Sequence, residues 1–71
     1  MAALGSGSGV VKEFDERRGL GTIAGDDGNV LPFHCTAIAD GSRTVDEGRR
    51  VRFDVAPGLS GRWEAAGIEK L

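Results

Sequence analysis

Arg18-Gly19-Leu20-Gly21-Thr22-Ile23, then Asp26-Asp27-Gly28-Asn29, then Val30-Leu31-Pro32-Phe33-His34 is the stretch whose reading decides the fold. Two short apolar runs flank a turn made of residues that tolerate positive φ, the signature of a β-hairpin. Successive side chains of a strand point to opposite faces. Leu20, Thr22 and Ala24 therefore share one face, and Gly21 and Ile23 the other. Ile23 marks the core side. The Leu20/Thr22 side is outward and nearly flat, because the glycines beside it carry no side chains. On the second run Leu31 and Phe33 point one way, Pro32 and His34 the other. His34, Leu20 and Thr22 thus share one outer surface, with Arg17 and Arg18 at its margin.

Upstream of the hairpin, residues 9–15 read as a strand. Val11 and Phe14 both suit a core, yet three positions separate them, so a regular strand cannot bury both. A bulge or sharp bend between them resolves the conflict and leaves Lys12 and Glu13 both outward. Gly5-Ser6-Gly7-Ser8 has flexible-linker composition, so residues 1–8 are expected to be a tail and residues 9–71 the folded domain.

Downstream, Pro32 cannot donate to a ladder, which places its strand at an edge or a bulge. Thr36-Ala37-Ile38-Ala39 is long enough for one helical or 3₁₀ turn, with Ile38 plugging one end of the fold. Arg50-Val51-Arg52-Phe53-Asp54-Val55 alternates cleanly, with Val51, Phe53 and Val55 inward. Pro57-Gly58-Leu59-Ser60-Gly61 turns the chain into a last strand, Arg62 to Lys70, with Ala66 and Ile68 inward. Five short strands, one long middle connection and no helix of consequence predict an all-β, five-stranded antiparallel Greek-key barrel, the OB-fold.

Composition narrows the function. At 71 residues there is room for one small domain. The net charge of −2 gives no global pull toward nucleic acid or an anionic membrane, but leaves room for a local basic patch. Cys35 is alone, so there is no disulfide framework, and a reducing cytoplasm is the expected setting. No apolar run approaches the ~18 residues of a membrane span, and Met1-Ala2-Ala3-Leu4 does not open like a signal peptide. Asp26-Asp27-Gly28-Asn29 lacks the spaced ligands of a calcium loop; turn chemistry accounts for it, and no metal or cofactor is expected. With one histidine, no tyrosine and no nucleophile–base spacing, the chain does not read as an enzyme.

From about Gly9 to the C-terminus the residues resemble the bacterial cold shock domain family. Gly9-Val10-Val11-Lys12-Glu13-Phe14 resembles its opening strand. Arg18-Gly19-Leu20-Gly21-Thr22-Ile23 is similar to its first ribonucleoprotein motif, lysine-glycine-phenylalanine-glycine-phenylalanine-isoleucine. Leu31-Pro32-Phe33-His34 is similar to the second, valine-phenylalanine-valine-histidine. The resemblance implies binding of single-stranded RNA or DNA by stacking bases on outward aromatics, each stack worth ~1–3 kcal/mol. Here the aromatic positions hold Glu13, Leu20, Thr22, Pro32, Cys35 and Ser42; His34 remains, with Lys12 and Arg18 at basic positions. Trp63, beside Arg62, aligns with the rim of the family's binding face, where proline is usual.

The expected nucleic-acid contacts are therefore Lys12, Arg18, Leu20, Thr22 and His34, joined by Arg62 and Trp63 from the last hairpin. Binding should be weak, salt-sensitive and of low sequence preference. The competing reading keeps the barrel but turns the Leu20, Thr22, Pro32 and Cys35 face toward a protein partner or a second copy. Arg49, Arg50 and Arg52 form the densest basic stretch and are read as a solubilising surface.

Overall fold

The first strand, β1, runs from Gly5 to Asp15 and is bent by one extra residue. Val11 faces Ile23 across the ladder, but Thr22 faces Glu13, so Lys12 is inserted between them. The insertion turns Val11 and Phe14 to the same side. Val11 is fully buried, Phe14 packs against the core, and Lys12 and Glu13 are both exposed. This is the bend that the three-residue spacing requires.

The computed structural model describes residues 5–58 and 61–71. Met1 to Leu4 of the expected tail, and Leu59 and Ser60 of the expected turn, lie outside the described residues. Strand β2 spans Leu20–Gly25, β3 Val30–His34, β4 Arg50–Pro57 and β5 Trp63–Lys70. A single 3₁₀ turn, Cys35–Ala37, follows β3, one residue earlier than the apolar spacing suggested. All pairings are antiparallel and the sheet order is β3-β2-β1-β4-β5. Strand β3 lies at the edge, where Pro32 costs no ladder hydrogen bond. The sheet curls so that β3 and β5 lie against one another, but no ladder joins them among the described residues. The cylinder therefore has a seam.

The core is formed by Val11, Ile23, Phe33, Val51, Phe53, Ala65 and Ile68, with Ile38 and Val45 from the middle connection. Phe14 and Phe33 stack in parallel, centroids 5.9 Å apart. Ile38 forms a bridge to Ile68, and Ala39 donates to the Ile68 carbonyl at 2.8 Å. That pins the connection across one end of the barrel.

Two expectations are corrected. Gly5 to Ser8 are strand, not tail: they pair with Val55 to Arg52 of β4. Their small side chains suit a crowded wall, since a Cβ on Gly7 would come within 3.3 Å of the Phe53 ring. In β5 the inward pair is Ala65 and Ile68, not Ala66 and Ile68. Asp54 faces Ala66 and Arg52 faces Glu69, so Gly67 and Ile68 together oppose Phe53. Gly67 has φ 54°, the left-handed conformation that lets the strand bulge there.

Candidate nucleic-acid interface

The outer face of the hairpin is assembled by two cross-strand pairs. Leu20 faces His34 and Thr22 faces Pro32. The turn before β2 is held by Asp15, whose Oδ1 accepts from the backbone N–H groups of Arg17 and Arg18 at 3.0 and 3.2 Å. Cys35 N–H donates to the Gly19 carbonyl at 2.7 Å, which ties the end of β3 to that turn. His34 Nδ1 accepts from Thr36 N–H at 3.3 Å and lies 2.9 Å from the Thr36 hydroxyl. Nε2 is thus left as the ring nitrogen without these contacts.

Two depressions flank Thr22 and Pro32. The smaller, about 560 Å³, brings together Arg18, Leu20 and Thr22. It is also lined by Glu13, Asp15 and Glu47, so carboxylates outnumber the one guanidinium. The larger, about 820 Å³, lies along the seam between β3 and β5. Thr22, Val30 and Pro32 line one side, Arg62 and Trp63 the other, and Asp27 comes in from the β2–β3 turn. Ser6, Gly7 and Ser8 of the β1 extension line it as well. Trp63 is 52% exposed at this rim. Lys12 and His34 are exposed but line neither depression.

The charges divide sharply. Arg50 forks onto Asp26 with two 3.0 Å hydrogen bonds, and Arg52 bonds Glu69 at 2.9 Å. The Arg50 hydrogen bonds hold the Asp26 carboxyl below its ordinary value. These two arginines are occupied within their own surface. Lys12, Arg18 and Arg62 form no ion pair among the described residues, as is also true of Arg17, Arg43 and Arg49, so the three expected contact cations are free to meet phosphate. Asp27 accepts from Asn29, from its backbone N–H at 3.0 Å and its amide Nδ2 at 3.1 Å. Among the described residues no group of three or more His, Cys, Asp or Glu is placed to hold a metal ion.

An open, mostly apolar seam with an exposed tryptophan and an arginine that forms no ion pair among the described residues, on a five-stranded barrel, is the kind of surface single-stranded nucleic acid uses. Comparison with known proteins decides the family. The model described as "'Cold-shock' DNA-binding domain" matches residues 7–71. The chain belongs to the cold-shock domain family. It is similar to Cold shock protein CspC of Bacillus subtilis, with 40% identity over 63 residues, 87% of this chain and 94% of that protein. It is also similar to Cold shock-like protein CspA of Shewanella violacea, with 43% identity over 58 residues, 79% of this chain and 83% of that one. A solved structure titled drosophila Unr CSD456 superposes with a TM-score of 0.76 at 30% identity. That match covers 93% of this chain and 26% of the larger one. Membership places the chain among nucleic-acid-binding domains rather than among enzymes.

Within this cold-shock domain, the hairpin face and the last hairpin meet at Thr22 and Pro32. The sequence named Arg62 and Trp63 but not the seam that joins them to β3. Val30, Asp27 and Asn29 were read only as turn and strand residues, and Ser6 to Ser8 as tail. The signal available was the juxtaposition of a proline-blocked edge strand with a tryptophan at the start of the last strand. No helix of the described residues is long and apolar enough to cross a membrane.

Proposed function

We propose that this cold-shock domain binds single-stranded RNA or DNA weakly and with low sequence preference, through the seam rather than through a full aromatic platform. The observation that carries this is Trp63, half-exposed beside Arg62 on the groove that also holds Thr22 and Pro32. A tryptophan face stacks any base and an arginine takes the adjoining phosphate. Arg18 and Lys12 extend the cationic path over the hairpin, while Glu13 and Asp15 oppose it. His34 and Leu20 offer a contact face beside the smaller depression. Family membership and the barrel support the ligand class; the contact residues are our assignment.

The test uses the only tryptophan. Titration with short oligo-dT at low and high salt should quench Trp63 fluorescence saturably, with a log–log salt slope of about −0.7 per phosphate neutralised. Absence of saturable quenching, with no shift of the His34 ring signals, overturns the assignment.

A second reading has its own observation. Leu20 and Val30 are large, apolar and about half exposed at opposite ends of the β2–β3 ladder, with Pro32 between them on the same face near an unpaired sheet edge. Such a patch suits a protein partner or a second copy. A concentration-dependent rise in mass by analytical ultracentrifugation supports it, and a monomer at millimolar concentration counts against it.

A further inference from the structure

The seam groove holds more than a stacking surface. Its volume, about 820 Å³, is within the range of pockets that enclose a small ligand. Trp63 contributes an aromatic side chain to its lining, and Asp26, Asp27 and Asn29 of the β2–β3 turn contribute polar groups. We infer that the groove takes one unstacked base of the strand and prefers guanine, with Trp63 against its face and the Asp27 carboxylate on its Watson–Crick edge. The inference rests on the nucleic-acid reading above and adds a specificity to it.

The argument runs through the acceptors. Asp26 also lines the groove, but its charge is paired with Arg50 at 3.0 Å, whereas Asp27 forms no ion pair among the described residues. Asp27 is different. Each of its oxygens accepts one bond from Asn29 and keeps lone pairs, because a carboxylate has about four acceptor sites. The two Asn29 bonds also fix the plane of the carboxylate. A fixed pair of acceptors selects a base edge with two adjacent donors. Guanine presents N1–H and the N2 amino group side by side; adenine and cytosine present one amino donor beside an acceptor, and thymine a single N–H between two carbonyls. Unstacked single-stranded bases are commonly read at this edge. Arg62, next to Trp63 in the lining, supplies a cation for the phosphate of the same nucleotide.

The walls fit this use. Val30 and Pro32 give an apolar side with no side-chain hydrogen-bond donor. Ser6, Gly7 and Ser8, which the strand extension beside β4 brings to the groove, add only small side chains to its lining.

The experiment compares short fluorescein-labelled oligo-dT strands carrying one central dG, dI or dA, read by anisotropy at low salt. Inosine retains N1–H and lacks the 2-amino group. The dG strand is expected to bind about tenfold tighter than the dI and dA strands. In Asp27→Asn, which retains the acceptor for the Asn29 backbone N–H, the three strands should bind alike. Equal affinity of the native protein for dG and dI strands, with binding otherwise intact, overturns the guanine preference. Preference for dA overturns it too. Failure of every strand to bind removes the nucleic-acid reading itself, a separate outcome.

Discussion

Thr22 stands directly opposite Pro32 on the β2–β3 ladder, and its hydroxyl is buried with no hydrogen-bond partner among the described residues. Leaving a buried hydroxyl unmet costs about 1–3 kcal/mol. Thr22→Val keeps the branched shape and removes the orphan oxygen. It should raise stability by about 1 kcal/mol, or roughly 4–8 °C in Tm for a domain of this size. Thr22→Ser, which retains the hydroxyl, should give no gain. Calorimetry of the two variants checks this.

Restoring aromatic side chains should rebuild the stacking platform. Leu20→Phe combined with Thr22→Phe places two rings on the outward face of β2. Each base stack is worth ~1–3 kcal/mol, so oligo-dT affinity should rise on the order of tenfold or more. An unchanged affinity in a folded double variant would show that the hairpin face does not meet the strand.

Removing Trp63 should do the reverse. Trp63→Ala deletes a half-exposed ring outside the buried core. Oligonucleotide affinity should fall on the order of tenfold, while the Tm moves little. Arg62→Gln should weaken binding and flatten the salt slope by about 0.7. Parallel salt titrations of the native and variant proteins distinguish the two roles.

Gly67 should resist substitution. Its φ of 54° is in the left-handed region, and a Cβ there would lie 3.1 Å from Asp54 Oδ2. Gly67→Ala should cost about 1–2 kcal/mol, because the bulge that brings Ala65 and Ile68 onto one face depends on it. Urea unfolding measures the loss.

Acid should remove the stabilisation that Asp40 contributes. Asp40 accepts from the Ser42 backbone N–H at 2.9 Å and pairs with Lys70 at 3.1 Å. The hydrogen bonds from Ser42, then the contact with Lys70, lower its pKa from 3.8 to about 2. A folded pKa below the unfolded one means that the stabilisation is complete above about pH 4 and is lost as pH falls toward 2. Asp40→Asn should therefore flatten the stability–pH curve between about pH 4 and 2. The native and variant curves should converge in shape above that window.

Much of the fold was legible because it rests on alternation and on conflicts in alternation. The Val11–Phe14 spacing announced the β1 bulge, and Pro32 announced an edge strand. The equivalent conflict between Ala65 and Ile68 was missed, because Ala66 is an equally plausible inward residue and nothing local favours Ala65. Gly5 to Ser8 were misread because linker composition reports missing side chains, whereas pairing with β4 uses only the backbone. The site was legible residue by residue, not as a shape. Arg62 and Trp63 were named from the sequence, yet the groove that unites them with Thr22, Val30 and Asp27 arises from curling of the whole sheet. No local pattern encodes that distance. The lining by Glu13, Asp15 and Glu47 was only half visible, since Glu47 comes from the long connection to β1, where its Oε2 accepts from Phe14 N–H at 3.4 Å.

The meeting of β3 and β5 without a shared ladder has a mechanical meaning. Among the described residues no backbone hydrogen bond joins β3 itself to β5, so away from the Ala39–Ile68 bond, spreading the two strands gives up only weak, undirected contacts between side chains. The aperture beside Trp63 is therefore compliant in a barrel that is otherwise stiff, and bulky and slim guests can be admitted at nearly the same energetic cost.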